Sequence, residues 1–261
     1  MPTLAKPAAR LPNKRTAAVR VLYLYAISPL PQRAPAIAAA GIDGWAPVEA
    51  LHCDDYLCWI SRVPKTDFAD RITEHMENLE WLAATSLRHQ RVISEIASRL
   101  PTLPARFATV FLSAASLAKH IEERKSALRA AFARIADADE WGVKIFALAK
   151  PKSRTATQAL TGAEYLKRKA KMLQPRTSKK LDEDVAEFVA ALKDIAVADS
   201  PGGKASAGQP GLVWHGSFLI RRKDRKKLDA ALKKYATQWH DRRRIDCSGP
   251  WPPYSFAGEH V

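Results

Sequence analysis

The stretch EWGVKIF, residues 140–146, indicates which kind of sheet this chain of 261 residues builds. Trp141, Val143 and Ile145 occupy alternate positions, with small or charged residues between them. Alternation with a period of two predicts a strand that buries one face against a core and turns the other face outward. Such a strand needs helices over its apolar face, and amphipathic stretches lie on both sides of it in the sequence.

Several other runs also have the composition of strands. VRVLYLYAI (residues 19–27) is apolar almost throughout, and Cys53, Asp54 and Asp55 separate two short runs in the manner of a hairpin loop. The predicted strands cover residues 19–27, 48–52, 56–63, 103–112, 141–148, 212–221 and 242–247.

Four stretches have helical periodicity. Thr66 is a candidate cap for the first and Ser113 for the second, while Pro101 ends the first and Pro175 interrupts the third. The predicted helices cover residues 66–100, 113–135, 162–198 and 223–239. The predicted buried face of the first helix is Phe68, Ile72, Met76, Leu79, Ala83, Leu87, Gln90, Ile93, Ala97 and Leu100.

This order of elements predicts an α+β protein of two small domains. Each domain is expected to be a ferredoxin-like or related sandwich, with helices on one face of an antiparallel or mixed sheet. The expected divisions are a flexible basic tail (1–18), an N-terminal domain (19–138), a C-terminal ferredoxin-like domain (139–249) with a flexible loop at 199–211, and a tail rich in proline and aromatic residues (250–261).

The net charge of +15 is the unusual feature of the composition. Residues 150–180 contain ten Lys or Arg against one acidic residue, and residues 221–244 contain eleven against three. Concentrated charge of this kind favours acidic partners, and a basic α+β module that binds nucleic acid is an alternative function. The aromatic interleaving of RNA stacking platforms is missing from both blocks.

Motifs of catalysis and cofactor binding are absent from the sequence. There is no GxSxG, GxGxxG, HExxH or phosphate-binding GxxxxGK[ST]. Cys53, Cys58 and Cys247 lack the spacing of a zinc site and are expected to be structural thiols in a reducing compartment. We therefore expect no enzyme activity, no metal, no cofactor and no small-molecule substrate.

GPWPPYSF (residues 249–256) is a rigid segment near the C-terminus. Its three prolines predict a polyproline II conformation that cannot extend a sheet and that places Trp251 and Tyr254 on one side. Two interpretations stay open: the segment clamps back onto its own domain, or its aromatic residues, Phe256 included, dock on a partner. Arg106 likewise either contacts a partner's carboxylate or pairs internally with an acidic residue such as Glu95 or Asp139.

Seven segments in register resemble the GvpL/GvpF family of gas vesicle accessory proteins. They are VLYLYAI (21–27), GIDGWAPV (41–48), LRHQRVI (87–93), LPARFATVF (103–111), EWGVKIF, TGAEYLKRK (161–169) and GPWPPYSF. The family usually has Arg-Phe-Gly-Thr where this chain has alanine at position 108, and alanine rarely adopts the positive φ that glycine permits.

The resemblance implies an assembly factor and minor structural component of gas vesicles. Such a protein would bind the small hydrophobic shell protein and other accessory proteins, and would work in the cytoplasm and at the vesicle without crossing a membrane. Arg106, Trp251, Tyr254 and Phe256 are the candidate partner-binding residues.

Overall fold

The computed structural model describes residues 19–148, 183–202 and 209–257. Within these ranges the chain forms two sheets with antiparallel pairing and helices between their strands, which confirms the predicted α+β class. Contacts divide the chain into two compact units. The first unit is the described part of Met1–Arg99 with Ala105–Glu123, and the second is Leu100–Pro104 with the described part of Arg124–Val261. The expected domain boundary between residues 138 and 139 stays a prediction.

The first sheet is built around a strand that is buried on both faces. Its strands are β1 (Arg20–Pro29), β2 (Glu49–Cys53), β3 (Tyr56–Pro64), β4 (Leu103–Pro104) and β5 (Val110–Phe111). The order is β2-β3-β1-β4, and β5 also pairs with β1. Every residue of β1 from Val21 to Ser28 is buried, as the uninterrupted apolar run requires.

The second sheet contains β6 (Ala138–Ala147), β7 (Ala198–Pro201), β8 (Leu212–Arg221) and β9 (Arg243–Trp251). Two helices complete it, α5 (Glu183–Ile195) and α6 (Arg225–Gln238). The strand order β7-β8-β6-β9 within a β-α-β-β-α-β chain gives the expected ferredoxin-like arrangement. Trp141, Val143 and Ile145 face the core beneath both helices, which confirms the predicted alternation.

The prediction of a single long helix at residues 66–100 is wrong. The structure has a π-helical turn (Thr66–Asp70), α1 (Ile72–Glu77) and α2 (Leu79–Ala97). Asn78 has a ψ of 106° and its side chain accepts a hydrogen bond from the amide of Trp81, so a new helix begins there. Thr66 lies inside the π-helical turn and does not cap a helix.

The predicted buried face of this region is also partly wrong. Helix α2 buries a different face from the predicted one. The interruption at Asn78 starts a new helix there, so the apolar positions before and after it do not share one face. The exposed apolar residues of the predicted face are Met76, Leu79, Ala83 and Leu87. The buried residues of α2 are Thr85, His89, Val92, Ile93 and Ile96.

The single strand predicted at residues 103–112 is divided by a turn, and only β4 and β5 remain of it. Ser113 caps α3 (Ala114–Glu123) as predicted, since its hydroxyl accepts the amide of Ser116 at 3.1 Å. The helix does not continue to residue 135, because Arg124 is non-helical and α4 (Lys125–Ile135) begins after it.

Two further corrections concern the C-terminal half. Asp199, Ser200 and Pro201, expected in a flexible loop, belong to β7 and pair with β8, and so does Ala198, which was expected to end a helix that stops at Ile195. The last strand extends beyond residue 247 to Trp251. The predicted helix break near Pro175 and the basic N-terminal tail lie outside the described residues. Among the described residues, no helix is both long and apolar enough to cross a membrane.

Candidate partner-binding surfaces

A buried carboxylate fastens residues 250–257, here called the C-terminal clamp, to the second sheet. Glu140 of β6 is buried, and its two carboxylate oxygens accept hydrogen bonds from the amide and the hydroxyl of Ser255 at 2.9 and 2.6 Å. The Ser255 hydroxyl also lies 3.2 Å from that of Ser217 on β8. Hydrogen bonds to an ionised acceptor are stronger than neutral ones, so they hold the clamp in one position.

The backbone of the clamp is not polyproline II, and this expectation is wrong. The amide of Tyr254 donates to the Pro252 carbonyl at 2.7 Å, and that of Phe256 donates to the Pro253 carbonyl at 3.1 Å, so the segment forms tight turns. Pro250, which follows a cis peptide bond, lies within β9. A proline is tolerated there because β9 is an edge strand and its ladder is irregular at this point.

The clamp exposes two aromatic rings and buries a third. Trp251 is 40% exposed and Tyr254 is 39% exposed, whereas Phe256 is only 4% exposed. Burial, together with the nearby charge of Glu140, raises the pKa of Tyr254 to about 12, so its phenol is neutral at physiological pH. The segment therefore clamps back onto its own domain, as the first interpretation held, and leaves two rings exposed to solvent; their docking on a partner stays a prediction.

Arg106 lies in the first unit, at a turn that positions it in solvent. The Arg106 carbonyl accepts the amide and the hydroxyl of Thr109 at 3.2 and 2.8 Å. The internal alternative, an ion pair of Arg106 with a residue such as Glu95 or Asp139, is absent from the part of the chain that the structure describes. Glu95 pairs with Arg99, and Asp139 pairs with Arg222.

Buried polar groups of the first unit hydrogen-bond to the turn that carries Arg106. The amide of Ala108 donates to the Tyr23 hydroxyl at 3.1 Å, and that hydroxyl lies 2.9 Å from Nδ1 of His89. Burial lowers the pKa of His89 to about 4, although the carbonyl of Ala105 acts in the opposite direction. The imidazole is therefore neutral, and a hydroxyl that accepts from Ala108 can donate to Nδ1. Ala108 adopts a φ of 67°, the left-handed region that glycine favours.

Within the described residues, no group of three His, Cys, Asp or Glu side chains is placed to hold a metal ion. Cys53 and Cys58 interact on neighbouring strands. Cys53 and burial raise the pKa of the Cys58 thiol, which therefore stays protonated.

The family model described as "Gas vesicle synthesis protein GvpL/GvpF" matches residues 21–258, which is most of the chain. The chain belongs to the GvpL/GvpF family of gas vesicle proteins. This confirms the resemblance drawn from the seven segments.

Individual relatives agree with the family. The chain is 27% identical to gas vesicle protein L of a Streptomyces species over 256 residues, which cover 92% of this chain and 93% of that protein. It is 24% identical to gas vesicle protein F of Haloferax mediterranei, with 84% and 87% covered. The crystal structure of GvpF from Anabaena shares its fold, with a TM-score of 0.66 and 19% identity; the match covers 91% of this chain and 96% of that one. The crystal structure of GvpF from Microcystis aeruginosa has a TM-score of 0.63 and 21% identity, and covers 91% of this chain and 98% of that one.

Segments that carry the GvpL/GvpF resemblance meet at two places in the fold. In the first unit, the runs at 21–27, 87–93 and 103–111 supply Tyr23, His89 and Ala108. In the second unit, EWGVKIF and GPWPPYSF supply Glu140 and Ser255. Both meeting points are hydrogen-bonded structural junctions, and each holds an exposed candidate contact beside it.

Sequence reasoning assigned no role to Trp45 in GIDGWAPV, which is 91% exposed. A tryptophan among glycine, aspartate and proline was a usable signal, because turns rarely need a large apolar side chain.

Proposed function

We propose that this protein binds the small hydrophobic shell protein of gas vesicles and supports its assembly into the vesicle wall. The observation that carries the proposal is the pair of exposed rings, Trp251 and Tyr254, on a clamp that is fixed to β6 through Glu140. We place this activity in the cytoplasm, where the shell would grow.

The rigidity of the clamp supports a binding role. Ordering a flexible segment at an interface costs about 0.5–1.5 kcal/mol for each immobilised side chain, and a clamp already held by Ser255 avoids part of that cost. Tryptophan and tyrosine supply large contact areas, and the neutral Tyr254 hydroxyl can donate a hydrogen bond at the rim of an apolar contact.

The chemistry of the partner gives a reason for such a carrier. A subunit that contributes an apolar surface to a shell is prone to aggregate until it is placed, because exposed apolar patches associate. A carrier that covers part of this patch would keep the subunit available. Arg106, exposed on its turn in the first unit, is proposed as a further contact to a carboxylate of a partner.

Co-expression with the host's shell protein tests the proposal. The Trp251→Ala/Tyr254→Ala double variant should lose most of the shell protein that the wild type retains on affinity purification. Val197→Ala, which alters an exposed apolar residue of the same unit outside the clamp, is the matched control and should retain it. Equal retention by the double variant and the control would contradict the proposed surface.

Nucleic-acid binding remains the alternative, and the structure gives it less support than the sequence did. Several cations of the basic block at 221–244 are neutralised within the second unit. These pairs are Arg225–Asp229, Lys227–Asp224, Arg243–Asp184 and Arg244–Asp246. Nuclease treatment during the purification separates the two functions, since RNA-mediated retention would then be lost.

A further inference from the structure

The turn that carries Trp45 is built to hold this side chain in solvent. Oδ1 of Asp43 accepts the amides of Trp45 and Ala46 at 2.9 and 2.8 Å. The amide of Gly44 donates to the Gly41 carbonyl at 2.9 Å, and Gly44 has a φ of 87°, which a residue with a side chain rarely adopts. The turn therefore has one hydrogen-bonded conformation.

This turn is also anchored to the core of the first unit. Ile42 is fully buried, and its amide donates to the hydroxyl of Tyr25 at 2.6 Å. That hydroxyl in turn donates to Ser61 of β3 at 3.0 Å. The exposure of Trp45 is thus not the result of a loose loop, and its indole, 91% exposed, buries little surface against the fold.

A pocket of about 310 Å³ lies between the turn and α2. Its lining combines small apolar surfaces, one exposed indole and two guanidinium groups. The lining residues are Ala39, Ala40, Asp43, Gly44, Trp45, Arg88 and Arg91.

The two arginines are the only cations of this lining, and their charge is not neutralised by an ion pair within the described residues. The nearby carboxylates are committed elsewhere. Glu95 accepts the amides of Ala38 and Ala39 and pairs with Arg99. Asp43 is used by the amides of its own turn. Two guanidinium groups against one carboxylate leave the pocket positively charged.

We propose that Trp45, Arg88 and Arg91 form a docking site for a protein segment that carries a carboxylate beside apolar side chains. Guanidinium groups bind carboxylates through paired hydrogen bonds, and tryptophan and arginine dominate the binding energy of protein interfaces. Leu87, which is also exposed, lies one helical turn before Arg91 on α2. This inference rests on the proposed function only in that the protein acts by binding other proteins.

Charge favours a protein segment over nucleic acid at this site. The first unit contains fourteen Lys or Arg and twelve Asp or Glu, which is little of the chain's net charge of +15, so it lacks the strong positive field that phosphate binding requires. A site with two local cations in a nearly neutral unit suits one carboxylate rather than a polyanion.

Photocrosslinking identifies the occupant directly. The chain is co-expressed with its host's set of gas vesicle proteins, with p-benzoylphenylalanine replacing Trp45 in one sample and Tyr254 in another. We expect position 45 to crosslink to a protein peptide that has Asp or Glu within about four residues of the linked position, one helical turn. Crosslinks to nucleic acid, or to a peptide without such a carboxylate, would overturn the inference.

Comparison of the two positions separates this inference from the proposed function. Crosslinks at position 254 without any at position 45 would overturn the docking site alone. An absence of protein crosslinks at both positions would overturn the docking site and the clamp surface together.

Affinity measurements with the crosslinked partner, once purified, test the chemistry. Trp45→Ala and Arg88→Gln/Arg91→Gln should each weaken binding by about tenfold or more. Arg71→Gln, which alters an arginine of the first unit that is paired with Glu74, is the control and should leave affinity unchanged.

Charge reversal adds a readout that a loss of folding could not produce. Arg88→Glu/Arg91→Glu should abolish binding, and changing the partner's mapped carboxylate residue to lysine should restore it. Failure of this reversal to restore binding, in a variant with a wild-type circular dichroism spectrum, would overturn the proposed pairing.

Discussion

The two sheets share a strand order and differ in what covers and connects their strands. The first has the order β2-β3-β1-β4 and the second has β7-β8-β6-β9, so in both a hairpin lies beside the first strand. Strand β1 is buried on both faces, whereas β6 alternates between buried and partly exposed residues. The same topology is therefore built once from a continuous apolar run and once from an alternating one.

The exposed aromatic residues lie on a connection between strands in the first unit and at the end of the last strand in the second. In the first, the crossover between β1 and β2 contains no helix and carries the turn of Trp45. In the second, the last strand continues into the clamp with Trp251 and Tyr254. In both units the sheet supplies a rigid scaffold, and the candidate contact residues lie on loops between strands or at strand ends.

Gly249→Ala should strongly destabilise the second unit and leave the stability of the first unchanged. Gly249 has a φ of 139°, and a Cβ there would lie 2.8 Å from the Glu140 carbonyl and 2.9 Å from the Trp141 ring. Backbone strain and overlap together should cost about 4 kcal/mol. Hydrogen exchange at β6 should accelerate while exchange at β1 does not. Gly142→Ala is the control, because its Cβ would meet only the side chain of Ser248 closely, at 3.2 Å.

Acid should weaken the first unit before the second. Burial lowers the pKa of His89 from 6.5 to about 4, so the unfolded state binds more protons between these values. The contribution of His89 to the free energy of unfolding is complete above pH 6.5 and is lost as the pH falls to about 4, by about 3 kcal/mol.

Urea unfolding between pH 4 and 7, followed by hydrogen exchange at β1 and β6, measures this effect. His89→Gln cannot titrate and should flatten the pH dependence of the first unit over that window. Unchanged stability of the wild-type first unit from pH 7 to pH 4 would contradict the buried neutral imidazole.

Ser255→Ala should loosen the clamp without unfolding the sheet. It removes the hydroxyl that donates to the Glu140 carboxylate at 2.6 Å, and a hydrogen bond to a charged group contributes about 1.5–3 kcal/mol. Exchange should rise in residues 252–257, and binding of the shell protein should weaken with it. Ser248→Ala, which alters an exposed contact of the Trp251 indole, should have a smaller effect.

Ala108→Gly should stabilise the first unit by about 1 kcal/mol, the smallest effect of the series. A left-handed conformation costs an alanine about 1–2 kcal/mol, and the greater chain entropy of unfolded glycine offsets part of the gain. Asp54→Gly is the control, since aspartate tolerates its φ of 54° better and should gain less. A destabilised Ala108→Gly protein in thermal unfolding would contradict this account.

Local pattern was sufficient for the strands that form the centre of each sheet. Β8 occupies the predicted range 212–221, and the apolar run at 19–27 lies within or beside β1, because burial of those residues follows directly from their composition. Periodicity could not show the interruption at Asn78, since apolar residues continue at helical spacing through it.

The candidate contacts depended on tertiary context that local pattern does not contain. Proline-rich sequence indicated a rigid C-terminal segment, but only the edge position of β9 explains why a strand can include Pro250. The buried bond between Glu140 and Ser255 joins residues that are 115 positions apart. The exposure of Trp45 depends likewise on Tyr25 and Asp43, which fix the turn.

Retention of the shell protein at increasing salt tests the central claim, that an apolar surface held by the clamp binds this partner. At about 0.5 M salt the Debye length is only about 4 Å, so contacts that depend on charge are largely screened. We predict that the co-purified shell protein stays bound from about 0.05 to 0.5 M salt. Release of the shell protein by salt, or no complex at either concentration, would contradict the claim.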